Sequence, residues 1–214
     1  MIDIIFEDDH ILVCRKPAGL AVQSASISRQ DLESMVRTYL MEKYQKANPH
    51  LGVVHRLDQP VQGLVLFAKT KKAASSLSAQ VQDGRMKKEY LAVVCGQLPE
   101  DNGTLIHYLK KSPSNLSVVV PEKTPGAKKA VLTYQVLQNR ENHALVKINL
   151  QTGRHHQIRV QMAASGAPLY GDNKYNPKTE RGQTIALCAS CLEFIHPANG
   201  KRMEFHAEPV GFPL

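Results

Sequence analysis

Read from its N-terminus, the chain changes the period of its apolar positions several times. Ile4-Ile5-Phe6 and Ile11-Leu12-Val13-Cys14 flank the acidic stretch Glu7-Asp8-Asp9-His10. That pattern predicts a β-hairpin whose second strand is closed by Lys16-Pro17-Ala18-Gly19. From Arg29 the apolar residues Leu32, Met35, Val36, Tyr39, Leu40 and Tyr44 recur at helical spacing. They predict a helix to about Lys46, with Ser28-x-x-Asp31 as its N-terminal cap and Asn48-Pro49 beyond its end. Gly63 opens Leu64-Val65-Leu66-Phe67-Ala68, a run of buried-strand length, and a second helix is expected over 71–83 with Gly84 as its stop. Strands are expected over 90–95, 185–192 and 203–207, and an antiparallel hairpin over 131–137 and 144–150. The segment 101–129, interrupted by Pro113, Pro121, Pro125 and Gly126, predicts strands joined by mobile basic loops. From about His155 to Gly166 the pattern is helical again, with Ile158, Met162 and Ser165 on one side and Arg159 on a polar edge.

One stretch concentrates chemistry: V-H-R-L-D-Q-P-V-Q-G-L-V-L-F-A-K over 54–69. Pro60 biases Gln59 toward an extended conformation, so Asp58 sits on a bend that enters the core strand. If 55–58 is itself extended, a period of two places Arg56 and Asp58 on one face and turns Leu57 to the other. A cation and an acid then share a cleft.

Composition narrows the possible partners. The 214 residues suffice for one substantial core, and no linker-like stretch divides them, so a single domain over 1–214 is expected. With 27 Lys plus Arg against 19 Asp plus Glu, the formal charge of +8 favours a polyanionic partner; a merely basic soluble protein is the bland alternative. The N-terminus has no basic leader before an apolar segment, and no run approaches the roughly 18 apolar residues needed to span a bilayer. A cytoplasmic protein without membrane contact is expected. Cys14, Cys95, Cys188 and Cys191 do not form a disulfide framework and are read as reduced thiols. Cys188-x-x-Cys191 lacks a second pair or a nearby pair of histidines, so no metal is expected. No G-x-G-x-x-G or P-loop is present, so no nucleotide cofactor is expected either.

The motifs themselves carry a resemblance. His55-Arg56-Leu57-Asp58 with Gly63-Leu64 and Ala68-Lys69 resembles the catalytic signature of the RluA-type pseudouridine synthases. Lys88-Glu89-Tyr90-Leu91-Ala92-Val93-Val94 resembles the family's K-x-Y-x-A-x-V strand. Thr152-Gly153-Arg154-His155-His156-Gln157-Ile158-Arg159-Val160 resembles its T-G-R-x-H-Q-I-R-V segment, and Leu169-Tyr170-Gly171-Asp172-Asn173-Lys174-Tyr175 resembles its L-Y-G-D-x-x-Y. The blocks lie in the family's order behind Lys16-Pro17-Ala18-Gly19-Leu20 and span about 4–206. The resemblance implies the pseudouridine synthase fold, an α/β chain of the α+β type with a mixed, largely antiparallel central sheet flanked by helices. Many family members carry a preceding S4-like RNA-binding domain; this chain begins directly in the catalytic-domain pattern, so a catalytic domain alone is expected.

The implied activity is isomerisation of uridine to pseudouridine in ribosomal or transfer RNA. This reaction breaks a glycosidic C–N bond, turns the uracil and makes a C–C bond, so it requires no cofactor; no obligatory protein partner is evident. The resemblance makes Asp58 the central carboxylate, either as a covalent nucleophile or as base and electrostatic partner of the sugar. Tyr90 would stack on the uracil and pass a proton. Arg159 is the cation expected to keep Asp58 ionised. Arg56 resembles the family arginine that helps occupy the space left by a flipped nucleotide, and His55 is read as structural support beside it. Lys16, Arg85, Lys87, Lys88 and Arg154 are expected along the RNA path, with His155 and His156 in RNA-facing or supporting roles. Without the motifs, Tyr90 reads as a half-buried strand tyrosine and Arg56 as a surface salt-bridge residue. Val61-Gln62 stands where the family commonly has Thr-Ser, and Gln161 where it commonly has His; both bear on substrate preference and rate. A non-catalytic RNA-binding or remodelling protein, and a glycosylase that releases free base, are the alternatives.

Overall fold

The computed structural model describes residues 2–24, 29–96 and 98–213. The expected capping residue Ser28 lies outside the described residues. The chain is a mixed α/β protein with antiparallel strand pairing, and it forms two compact units: Met1–Lys87 with Ala189–Glu208, and Lys88–Cys188 with Pro209–Leu214.

In the first unit, β1 (Asp3–Glu7) and β2 (Ile11–Lys16) form the expected hairpin. Its turn is closed by the Asp8 carboxylate, whose Oδ1 accepts from the backbone N–H groups of His10 at 2.7 Å and Ile11 at 2.8 Å. β2 pairs with β4 (Gln62–Ala68), and the short β3 (Gly52–Val53) pairs with β4 as well. Every residue of β4 is buried, which is why Leu64-Val65-Leu66-Phe67-Ala68 is a continuous apolar run instead of an alternation. β10 (Leu187–Ile195) enters this unit at Ala189, lies next to β4 in the strand order and carries β11 (Arg202–His206). The close approach of β4 to β10 depends on Gly63. Its φ is +120°, and a Cβ there would lie 2.5 Å from the Ala189 nitrogen and collide with that residue's carbonyl.

Two helices pack on this layer. α1 (Leu32–Tyr44) starts at Asp31, which accepts from the Ser34 N–H while the Ser34 hydroxyl accepts from Asp31 N–H, a reciprocal capping box. Its last residue is Tyr44, two before the expected Lys46, and Gln45 closes it in the left-handed region. α2 (Lys71–Gln82) is capped by Thr70. Leu64, Leu66, Ala73, Leu77, Leu192 and Phe194 belong to one core. Gln80 is buried in α2 because its amide bonds both the N–H and the carbonyl of Ile195, each at 2.8 Å. Glu7 anchors the other side. Burial pushes its carboxyl up, but hydrogen bonds from Lys43, Lys69, Tyr44 and Tyr39 outweigh burial and hold it at about 2.

In the second unit the strand order is β5 (Lys87–Cys95, entering at Lys88), β9 (His143–Leu150), β8 (Lys128–Asn139), β6 (Asn102–Lys111) and β7 (Ser117–Val120). The segment 101–129 is more regular than its breakers suggest. β6 pairs with β8 from Asn102 opposite Gln135 to Leu109 opposite Lys128. Pro113, Pro121, Pro125 and Gly126 fall in the connections between strands, where the missing N–H of proline and the left-handed glycine are harmless. α3 (Gln157–Ala164) corrects a second expectation. Residues 157–162 are all buried, Arg159 among them, so the helix has no polar edge there. Among the described residues no helix is long and apolar enough to cross a membrane.

Replacing Gly63 with Ala combines a left-handed backbone, which disfavours Ala by about 1 kcal/mol, with overpacking of a backbone contact, which costs about 1–3 kcal/mol. The expected outcome is a loss of about 3 kcal/mol, read as a lower urea midpoint at unchanged slope. A midpoint equal to wild type would mean that the two strands separate without penalty.

Candidate active site

In the first unit the site is built around a turn. The Asp58 carbonyl accepts from the Val61 N–H at 3.0 Å, which reverses the chain just before β4. Arg56 is exposed, Leu57 buried and Asp58 half-buried, the alternation expected of an extended segment. His55 ties this segment to β4, its Nε2 accepting from the Leu66 N–H at 3.3 Å. Arg56 Nη1 reaches Gln23 Oε1 at 3.5 Å.

The Lys16-Pro17-Ala18-Gly19-Leu20 loop clasps this turn. Gly19 N–H donates to the Gln59 carbonyl at 2.9 Å, and Gln59 Nε2 donates back to the Gly19 carbonyl at 3.0 Å. The Lys16 ammonium donates to the carbonyls of Pro17 at 3.0 Å, Leu20 at 2.6 Å and Gln59 at 3.0 Å. Lys16 is fully buried, so the expectation of a surface cation on the RNA path is not met. With all three donors on backbone carbonyls, it has none left for a phosphate. Burial pulls its pKa down to about 8, opposed by the charge of Asp58. The residue supports the Asp58 turn from beneath.

In the second unit Tyr90 is a buried residue of β5, directly opposite Ile148 of β9. Arg159 on α3 is 2% exposed and Asp172 is 1% exposed. The guanidinium grips that carboxylate with two parallel bonds, Nε to Oδ2 at 2.8 Å and Nη2 to Oδ1 at 2.7 Å. It also lies 5.3 Å from the centre of the Tyr175 ring. Gly171, at a φ of +69°, lets the chain pass so close to Thr184 that a Cβ would collide with its carbonyl; this sets Asp172 in place. The Asp172 backbone carbonyl then accepts from Asn176 at 2.8 Å.

The start of α3 is fixed by side chains. His156 occupies a left-handed conformation, and its Nδ1 shares a hydrogen bond with the Tyr175 hydroxyl at 2.8 Å. That hydroxyl accepts from the Ser117 N–H at 2.8 Å. The His155 and His156 rings stack at 3.8 Å. Gln157 Oε1 accepts from the Thr152 hydroxyl at 2.8 Å and the Arg154 N–H at 2.9 Å, while its Nε2 donates to Val131 at 3.1 Å. Gln161, fully buried, donates to the carbonyls of Leu105 at 3.1 Å and Ala130 at 3.3 Å. Buried amides therefore pin the helix to β6 and β8, which keeps Arg159 in register with Asp172.

The remaining basic residues differ in setting. Arg154 is exposed, and its Nε donates to the Lys129 carbonyl at 2.9 Å. Arg85 is exposed and folded back on Asp83. Lys87 is exposed near Glu193, at 3.4 Å. Lys88 is half-buried beside Gly153, and burial pulls its pKa down. Asp172, Tyr175, Gln157 and Gln59 had no assigned role in the sequence. The available signal was an acid between Leu-Tyr-Gly and an aromatic: a carboxylate in apolar company needs a cation.

The family model for RNA pseudouridylate synthase matches residues 10–164. The chain is 34% identical over 223 residues to ribosomal large subunit pseudouridine synthase D of Zymomonas mobilis, covering 97% of this chain and 69% of that protein. It is 36% identical over 219 residues to the protein of the same name from Neisseria meningitidis, covering 96% of this chain and 58% of that one. In structure it matches human RNA pseudouridylate synthase domain containing 4 with a TM-score of 0.82 at 22% identity, over 97% of this chain and 88% of that one. That last likeness establishes the fold.

Replacing Asp172 with Asn keeps the shape of the acceptor but removes the buried negative charge that pairs with Arg159 through two hydrogen bonds. The expected loss is about 3–5 kcal/mol of unfolding free energy, measured by denaturant titration. A variant as stable as wild type would show that Asp172 does not neutralise the Arg159 charge.

Proposed function

Because this chain belongs to the RNA pseudouridylate synthase family and is an RNA-modifying isomerase, we propose that Asp58, Tyr90 and Arg159 are its catalytic set and that large-subunit ribosomal RNA is its substrate. The observation that carries the residue assignment is the Asp58 turn: a half-exposed carboxylate at a bend that three backbone-directed bonds from Lys16 and a reciprocal pair between Gly19 and Gln59 hold rigid. Rigid backing under a partly open acid is what a group aimed at one atom of a ribose requires. In this proposal the chain acts as one catalytic domain over 1–214, and its place of action is the cytoplasm.

The chemistry follows from the bonds exchanged. Asp58 faces the ribose as the glycosidic bond breaks, either adding to the sugar or stabilising its developing positive charge. Tyr90 presents its ring to the freed uracil and its hydroxyl to the proton displaced when the new C–C bond forms. Arg159, its fork geometry fixed by Asp172, supplies the positive charge of the set. Arg56 stands in for the extruded nucleotide, which offsets an unstacking cost of a few kcal/mol. The relatives' names, both specifying the ribosomal large subunit, support the choice of RNA.

Asp58→Asn should form no pseudouridine while binding RNA at least as well as wild type, because one negative charge leaves a surface that meets phosphates. Nucleoside analysis of ribosomal transcripts incubated with each protein reads this directly. Pseudouridine from both proteins would remove Asp58 from the chemistry, and free uracil from wild type would make the chain a glycosylase.

Arg154 and Lys16 separate surface from interior. Arg154→Ala should lower the slope of log affinity against log salt by about one unit, whereas Lys16→Met should leave it unchanged. Equal slopes for wild type and Arg154→Ala would take Arg154 off the RNA path.

A further inference from the structure

The Cys188-x-x-Cys191 spacing holds no metal as a pair, because residues three apart on the strand β10 turn to opposite sides. Cys191 has other company. It stands directly opposite His206 in the antiparallel ladder of β10 and β11, so the two side chains share a face. Glu204, two residues before His206, is on that face too. The Glu204 carboxylate is 3.0 Å from His206 Nε2 and 4.0 Å from Cys191 Sγ, and one ligand atom from each of the three side chains lies within 4.8 Å of the others.

The surrounding charges sharpen the point. Glu193 is directly opposite Glu204, a like-charge pair that destabilises a ladder. Glu193 is neutralised by Arg202 at 2.7 Å and Lys87 at 3.4 Å. No Lys or Arg among the described residues bridges Glu204 in the same way; its hydrogen-bond partners are His206 and Cys191. A carboxylate, an imidazole and a thiol thus converge where the ladder is short of positive charge.

We propose that Cys191, Glu204 and His206 form a binding site for a divalent transition metal of the zinc class, linking β10 to β11. The donor set is sulfur, nitrogen and oxygen, the combination zinc takes, with a water left for the fourth position. Metal–ligand distances of about 2.0–2.3 Å in a tetrahedron require donors roughly 3.3–3.6 Å apart. The observed spacing brackets that range, so rotation of the exposed Glu204 and His206 side chains toward the half-buried Cys191 closes the site without moving the backbone. On binding, the thiol proton passes to solvent and the thiolate becomes the ligand. The site lies on strands that contribute no residue to the proposed catalytic set, so it stands or falls apart from that reading.

Cobalt is the probe, because a thiolate on Co²⁺ gives a charge-transfer band in the near ultraviolet. Titration of the reduced full-length chain should give a band that saturates at one equivalent and is displaced by Zn²⁺. Cys191→Ser should abolish the band, Cys95→Ser should retain it, and His206→Gln should weaken binding by at least about tenfold. Circular dichroism of each variant confirms that it is folded. No band from wild type, or an undiminished band from Cys191→Ser, would overturn the proposal.

Discussion

A guanidinium 2% exposed to water cannot stand alone, and the second unit is arranged around neutralising it. The effective penalty for burying an ion is several kcal/mol, recovered only when the partner's geometry is good and the remaining donors are satisfied. Asp172 meets the first condition with two parallel bonds to Arg159. The Leu-Tyr-Gly-Asp segment exists in its observed shape to deliver that carboxylate: Gly171 permits the close pass by Thr184, and Asn176 closes the turn behind it. Tyr175 then covers the guanidinium face while its hydroxyl ties Ser117 and His156 to the same cluster. Buried ion pairs are poor sources of stability compared with apolar packing, so such an arrangement is best understood as fixing one geometry.

The same physics operates in the first unit with a different charge. Lys16 is surrounded by three backbone carbonyls, whose dipoles replace the water it has lost, and burial still lowers its pKa to about 8. An ammonium can serve this role because its three donors rotate freely and need no planar acceptor. The result is a loop and a turn locked together across the chain, with Asp58 half-buried at that turn. In both units a buried cation is held in one place by its acceptors, three backbone carbonyls for Lys16 and the Asp172 carboxylate for Arg159. Lysine and arginine therefore occur in two settings here, buried ones such as Lys16 and Arg159 and exposed ones such as Arg56 and Arg154.

Ladder geometry creates a third kind of proximity. Cys191 and His206 are fifteen positions apart in sequence but adjacent across β10 and β11, and Glu204 joins them through the period of two. Side chains opposite one another in an antiparallel pair have Cβ atoms about 5 Å apart, close enough for three donors to meet one ion. The C-x-x-C spacing, which looks like chemistry in the sequence, is broken up by that same period.

By itself the sequence determined what depends on local period and local chemistry. The first hairpin, both helices of the first unit, the buried run before Lys69 and the hairpin of β8 and β9 were legible because a strand alternates at two and a helix at 3.6. The Asp58 bend was legible because proline constrains its predecessor. The motif order was enough to mark Asp58, Tyr90 and Arg159 as the residues to examine. Partners and burial were decided only by tertiary structure. Lys16 was read as lying on the RNA path because nothing near it in sequence shows that the Gln59 carbonyl, forty-three positions on, will accept a hydrogen bond from its ammonium. Arg159 looked like a polar helix edge because its carboxylate comes from a loop thirteen positions later. The regularity of 101–129 was hidden by prolines that fall in its turns. In each case the missing quantity was the desolvation of a group, which is a property of everything packed around it and of no short stretch of chain.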